Sequence, residues 1–277
     1  MLPSADENDR QLRDQTSDSG FLYRYRDLVG SRAQWLSQIV VDSQIYFASP
    51  AHFNDPFDCR PYFSLQASTA QLTKYFEGAL SRHAPELSRA ARRAEARRRA
   101  TAPDCDPRLP KNMADFRRTY DQMVTDQIGV LCLSEVQDNL LMWAHYADSH
   151  RGVCLQFKGE QFLGTAQPIL YQRIRPTVNP IVHSHEEMLD RSLLTKSDDW
   201  SYEREWRAFH YKSGAGLYDI PAPSLAGVIL GAQISVSNRE SVLRWVQARQ
   251  VPVKLYHATL SEAEFRLRID ALPQPEA

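Results

Sequence analysis

The chain has 277 residues, 43% of them hydrophobic and 24% charged, with a net charge of −1. That length suffices for one large domain or two small ones around a sizeable core. The balanced charge gives no overall pull toward nucleic acid or a membrane surface. No apolar run is long enough to span a bilayer, and the polar, acidic opening residues lack the basic start and apolar middle of a secretory leader. These features predict a cytoplasmic protein with no membrane partner. Cys59, Cys105, Cys132 and Cys154 form no CxxC pair, so no zinc site of the usual spacing is expected. Cys132 and Cys154 lie in apolar runs and read as buried free thiols.

Residues 1–19 carry many charges and almost no apolar anchor, which predicts a disordered tail. A single α+β domain, a mixed or antiparallel sheet with inserted helices, is expected over 20–270, and a loose Pro-rich tail over 271–277. Phe21–Tyr25 reads as the first strand. Residues 35–41 read as a helix with Trp35, Ile39 and Val40 on its buried face. Ile45 to Ser49 reads as a second strand, leading into the turn Phe53-Asn54-Asp55-Pro56-Phe57-Asp58. Proline fixes its own φ and biases Asp55 to an extended conformation, while Asn and Asp can cap neighbouring backbone groups. The turn therefore reads as rigid and polar, held to a core by Phe53 and Phe57.

Residues 68–128 are rich in alanine and arginine and form a predicted helical insertion, interrupted by Pro103, Pro107 and Pro110, with a later helix from Met113 to Gln127. Gly129–Ser134 and Gly152–Phe157 read as buried strands flanking a helix over 139–149. Further strands are expected at 204–211, 227–231, 253–259 and 265–269. Ser237-Asn-Arg-Glu240 matches a capping box that would open a helix running to Arg249.

Four clusters carry the chemistry-bearing residues. In Tyr202–Arg207, strand alternation would put Glu203, Glu205 and Arg207 on one face. A carboxylate pair of this kind can stabilise an oxocarbenium ion as a glycosidic bond breaks, or can form ordinary Glu–Arg pairs. In the helix over 139–149, Trp143, His145 and Tyr146 either line a pocket for a flat ring or belong to the core. Ser149, not a second ligand, stands at i+4 from His145, which argues against a metal role. On the first strand, Arg24 and Arg26 face one way, and a buried arginine there calls for a phosphate or carboxylate partner. The basic run 82–99 has arginines on several faces and no interleaved aromatics, so it reads as a solvated or protein-contacting helix. No GxGxxG, Walker loop, GxSxG or HExxH occurs.

Taken together, Leu22-Tyr23-Arg24-Tyr25, Ile45-Tyr46-Phe47, the Phe53–Asp58 turn, Leu133-Ser134, Met142–Tyr146, Gly152–Phe157, Lys196, Trp200 and Glu203–Arg207 resemble a bacterial family catalogued as a domain of unknown function. The likeness covers residue 21 to about 235. A more distant resemblance, in element order, is to the ADP-ribosyltransferase superfamily. That resemblance implies NAD as cofactor, with Arg24 gripping its ribose or phosphate and Tyr46 or Ser49 beside the nicotinamide. It further implies Glu205 as the catalytic carboxylate and Glu203 as the group that orients or deprotonates an acceptor. Asn54, Asp55, Trp143, His145 and Tyr146 are expected to help line the NAD site.

The function implied is an NAD-consuming transferase or glycohydrolase, a bacterial toxin or anti-phage effector acting on a protein or nucleic-acid acceptor, with no metal. Two rivals remain open. One is a hydrolase or nuclease holding Mg²⁺ between Asp55, Asp58, Glu203 and Glu205. The other is a ligand-sensing module that uses Trp143, His145, Tyr146 and the turn's aromatics. All three readings expect the turn, the aromatic helix and the Glu203–Arg207 segment to converge.

Overall fold

The computed structural model describes residues 20–103, 109–158, 164–211 and 213–273. The expected disordered tail at 1–19 and the last residues, 274–277, lie outside these. In chain order the elements begin with β1 (Phe21–Arg26), α1 (Arg32–Ser37, continued as a π-turn over Gln38–Asp42), β2 (Gln44–Phe47) and β3 (Tyr62–Phe63). Three helices follow: α2 (Thr69–His83), α3 (Arg89–Thr101) and α4 (Pro110–Gln127). Next are β4 (Ile128–Ser134), α5 (Leu140–Tyr146), β5 (Val153–Lys158), β6 (Gln167–Pro168), β7 (Leu170–Gln172), β8 (Thr177–Val178), α6 (His185–Leu193) and β9 (Thr195–Ser197). The chain closes with β10 (Glu205–Tyr211), β11 (Gly216–Asp219), β12 (Leu225–Leu230), α7 (Val236–Ala248), β13 (Lys254–Leu260) and β14 (Leu267–Ala271). This is a mixed α+β architecture.

The chain divides into two compact units: Met1–His52 with Asp126–Tyr171 and Asp198–Ala277, and Phe53–Thr125 with Gln172–Ser197. The first is built on an eight-stranded sheet in the order β14-β13-β12-β5-β1-β4-β10-β6. Its ladders are antiparallel except for the β12–β13 pair, which is joined through α7 as a parallel crossover requires. Successive residues alternate sides and paired residues share one, so the register defines two faces. On one face Tyr23, Tyr25, Cys154, Ile229 and Ala258 pack with Met142, Trp143 and Ala147. On the other, Leu22, Leu131, Leu133, Leu155, Trp206 and Val228 pack with Leu36, Ile39 and Val40, with Ile45 and Phe47 of β2, and with Val242 and Val246 of α7.

Local details differ from the sequence expectation in three places. Trp35 is 56% exposed, and Leu36 takes its place on the buried face with Ile39 and Val40. The helix there widens into a π-turn before ending at Ser43 in the left-handed region, φ 57°. Ser235, not Ser237, caps α7, its hydroxyl accepting from the Asn238 amide. Helix α5 stops at Tyr146, three residues early, because Asp148, Ser149 and His150 all take positive φ. That left-handed run turns the chain into β5 through Gly152, where a Cβ would lie 2.1 Å from the Arg26 carbonyl oxygen.

The second unit is mainly helical. The expected insertion at 68–128 falls largely within it, although the unit starts earlier, at Phe53, and takes back residues 172–197. Ser68 and Ser88 cap α2 and α3, and the two helices pair through Phe76, Leu80 and Ala96. Leu65, Leu72 and Ile181 form a second small core, and the Tyr120 hydroxyl bonds Ser192 and the Met188 carbonyl. Strands β3 and β8 form a short parallel pair.

Candidate functional site

The Glu203–Arg207 segment does not run as one strand. Glu203 ends a 3₁₀ turn over Asp198–Glu203, Arg204 adopts φ 43°, and β10 begins at Glu205. The expected alternation of Glu203 with Glu205 is therefore broken at Arg204, and only Glu205 and Arg207 share a face by strand period. These two form a bidentate pair: Arg207 Nε donates to Glu205 Oε1 at 2.7 Å and Nη2 to Oε2 at 3.1 Å. Arg207 is fully buried and Glu205 is 4% exposed. The arginine's fork matches the carboxylate geometry and neutralises it inside the protein.

Glu203 is buried as well, held from two sides. Its carbonyl accepts from the Ser134 hydroxyl at 2.6 Å, and its Oε1 accepts from the Tyr146 hydroxyl at 2.6 Å. Asn139 sets the position of Tyr146: its Oδ1 caps α5 by accepting from the Leu141 and Met142 amides, while its Nδ2 donates to the Tyr202 carbonyl. Glu135 fixes the neighbouring segment, bonding Trp206 Nε1 and Arg204 at 2.8 Å each. Glu135 and Asn139 were given no role by sequence, and Ser134 entered only within the Leu133-Ser134 motif of the resemblance. The usable signal was at Asn139, an amide directly before an apolar helical run.

The aromatic helix separates into two roles. Trp143 has no exposure, stands edge-on to Tyr25 at 5.3 Å and donates its indole N–H to the Gln137 carbonyl. It is a core residue, so the expectation that it lines a ligand site is corrected. His145 is exposed and Tyr146 half-buried. Their rings join a run of aromatics beside Glu203: His145 to Tyr146 at 6.4 Å, His145 to Tyr202 at 6.4 Å, and Tyr202 to Trp200 at 6.1 Å.

Arg24 and the second strand belong elsewhere. Tyr23 pairs with Ser134 and Ser134 with Glu205, so Tyr23 and Glu205 share a face and Arg24 projects from the opposite one. The NAD constellation inferred for Arg24 with Glu205 does not assemble, because one residue of strand alternation separates them. Arg24 is 8% exposed, its Nη2 donates to the Tyr46 carbonyl at 3.3 Å, and its Nη1 is buried with no hydrogen-bond partner among the described residues. Burial holds its guanidinium pKa well below the ordinary value, and the adjacent Arg26 charge adds to the shift. Tyr46 is 43% exposed, whereas Ser49 is buried with its hydroxyl accepting from the Ala51 amide.

The Phe53–Asp58 turn belongs to the second unit. Asp55 Oδ1 accepts from the Phe57 amide at 2.8 Å and the Asp55 carbonyl from the Asp58 amide, so Asp55 acts as a turn cap. Asn54 is exposed. Phe57 is 62% exposed with the Arg175 guanidinium over its ring, which corrects the expectation that it anchors the turn in the core. Asp58 is buried and pairs with buried Lys196 at 3.7 Å. Among the described residues no group of three or more His, Cys, Asp or Glu side chains is placed to hold a metal, nor is any helix long and apolar enough to cross a membrane. Comparison of the chain with protein-family models, curated proteins and solved structures found no match.

Proposed function

We propose that the chain cleaves the N-glycosidic bond of NAD, transferring ADP-ribose to a macromolecular acceptor or to water, with Glu203 as the carboxylate at the reacting ribose. The observation that carries this reading is the buried Glu203 carboxylate, held by Tyr146 beside the Trp200–Tyr202–His145 aromatic run. Aromatic faces suit a flat nicotinamide ring. A preorganised carboxylate in a poorly solvated site favours the positive charge that develops on the ribose as nicotinamide leaves. Relative to the roles implied by the superfamily resemblance, Glu203 takes the catalytic place given there to Glu205. Both Glu205 oxygens are taken by Arg207, so Glu205 acts as part of the rigid support. Arg24 takes no part in this site.

The test is nicotinamide release from NAD by purified protein, alone and with cell extract as a source of acceptor. Glu203→Gln removes release while the protein stays folded. Tyr146→Phe lowers it by about ten- to a hundredfold, through loss of a positioning hydrogen bond of roughly 1.5–3 kcal/mol. Release unchanged in Glu203→Gln refutes the assignment.

A second reading is favoured by one specific observation, the orphaned Nη1 of buried Arg24. Among the described residues no carboxylate pairs with Arg24, a buried cation without a counter-ion is costly, and the neighbouring Arg26 adds like charge. In this reading the first unit senses a small oxyanion at Arg24 without turnover. Saturable phosphate or carboxylate binding that disappears in Arg24→Met, with no nicotinamide release from wild type, would favour it over catalysis.

A further inference from the structure

The second unit contains a cleft of about 530 Å³ that no part of the proposed reaction uses. One wall is a single face of α2, from Gln71 through Lys74, Tyr75 and Gly78 to Arg82. The other is the turn at 180–184 with the start of α6. The volume lies in the range of small-molecule sites, roughly 300–1,000 Å³. Its charge is one-sided: the basic residues lining it are Lys74, Arg82, His183 and His185, with no Asp or Glu. Lys74 and Arg82 make no ion pair among the described residues.

Gly78 is the second observation. Glycine inside a helix costs about 1 kcal/mol relative to alanine, and packing does not require it here. A Cβ at this position would meet only Arg82 Nη1, at 3.7 Å. The missing side chain leaves the cleft floor open, and the same distance shows the Arg82 guanidinium folded back over that floor. Lys74 lies four residues before Gly78, or about 6 Å along the helix. Lys74 and Arg82 thus stand one turn to either side of Gly78, about 12 Å apart along the helix, with the Arg82 guanidinium reaching back to the floor.

The remaining lining residues supply complementary chemistry. Tyr75, Ile181, Val182 and Met188 offer ring and apolar contact. His183 Nδ1 accepts from the Asn179 amide, which leaves Nε2–H as donor. Burial, with the Arg191 charge, lowers the His183 pKa, and Glu187 opposes that shift. The start of α6 is already closed by a capping box between Ser184 and Glu187, so the helix terminus itself is not the anion seat.

We infer that this cleft binds a nucleoside diphosphate, with its phosphates on Lys74 and Arg82 over Gly78 and its base against Tyr75 and Ile181. Two cations on one wall, either side of Gly78, suit a diphosphate that spans the floor between them, and an apolar, aromatic flank matches a base better than it matches a free ion.

The full chain is titrated calorimetrically with ADP, adenosine and inorganic diphosphate. ADP binds saturably below about 1 mM, more tightly than either fragment. Lys74→Met/Arg82→Met, both exposed positions, weakens ADP at least about tenfold, equivalent to 1.4 kcal/mol. Gly78→Gln, filling the floor, weakens it as much. Glu203→Gln leaves ADP affinity at wild-type strength, which separates this cleft from the proposed NAD site. Absence of ADP binding, or binding unaffected by the Lys74/Arg82 pair, overturns the inference. So does adenosine binding as tightly as ADP, which removes the phosphate argument, or single-stranded RNA binding more tightly than ADP through the same two residues.

Discussion

Removing the Arg207 guanidinium is the most demanding test of the site's architecture. Arg207 is fully buried and its Nε and Nη2 hold both oxygens of buried Glu205. Arg207→Met keeps much of the side-chain volume but strands the carboxylate in a poorly solvated site. Breaking a buried pair in this way costs about 3–5 kcal/mol. For a unit of roughly 150–250 residues that corresponds to a fall in Tm of about 6–20 °C. Replacing both partners by apolar residues avoids the stranded charge, so Glu205→Leu/Arg207→Met recovers much of the loss, with a coupling energy of about 2 kcal/mol or more. Urea unfolding of wild type, both single variants and the double variant gives the cycle, provided the slope m stays constant. A single variant within about 1 kcal/mol of wild type, or a coupling near zero, would refute the account of Glu205 as a carboxylate held by Arg207.

Other consequences follow from individual contacts. Trp143→Ala removes a fully buried ring and its bond to Gln137, and costs about 3–5 kcal/mol in the same unfolding assay; a loss below about 1 kcal/mol would place Trp143 outside the core. Gly152→Ala forces a Cβ to within 2.1 Å of the Arg26 carbonyl oxygen, so it is expected to destabilise by about 1–3 kcal/mol, and a neutral result contradicts the close approach. Glu95 accepts from Arg98 and Arg99, which lowers its pKa from the ordinary carboxylate range to about 2. Its contribution to α3 is therefore present above the unfolded value and is lost as pH falls from there through about 2. A carboxyl NMR titration of Glu95 with a midpoint near the unperturbed value would show those bonds to be absent in solution. Tyr120 runs the other way: burial raises its phenol to about 12. Stability from the neutral phenol is complete below the unfolded value near 10 and declines as pH rises toward 12; ultraviolet titration showing every tyrosine ionised near 10 would contradict its burial.

Much of the fold was legible because the strand segments carry periodic apolar patterns. Phe21–Arg26, Ile128–Ser134 and Val153–Lys158 all appear within a residue of their expected positions. What resisted reading was set by single backbone angles. Arg204 at φ 43° takes Glu203 off the strand, and three left-handed residues after Ala147 cut α5 short. Neither change has a glycine to announce it. The site suffered from the same parity problem: Arg24 is one residue from Tyr23, and strand pairing alone decides which of them shares a face with Glu205. Burial could not be foreseen either. Trp35 and Phe57 read as anchors yet are exposed, while Arg207, the most polar residue of its strand, is fully enclosed. The pairing partners that make this tolerable, Glu205 for Arg207 and Tyr146 for Glu203, come from one strand and a distant helix respectively.

Whether Glu203 supports cleavage of the nicotinamide–ribose bond is decided by following NAD in real time by proton NMR with the protein and cell extract present. With wild type, the anomeric proton signal of the nicotinamide ribose is lost with matching growth of free nicotinamide, and with Glu203→Gln neither change occurs. An NAD spectrum that wild-type protein leaves at the rate of extract alone would contradict it.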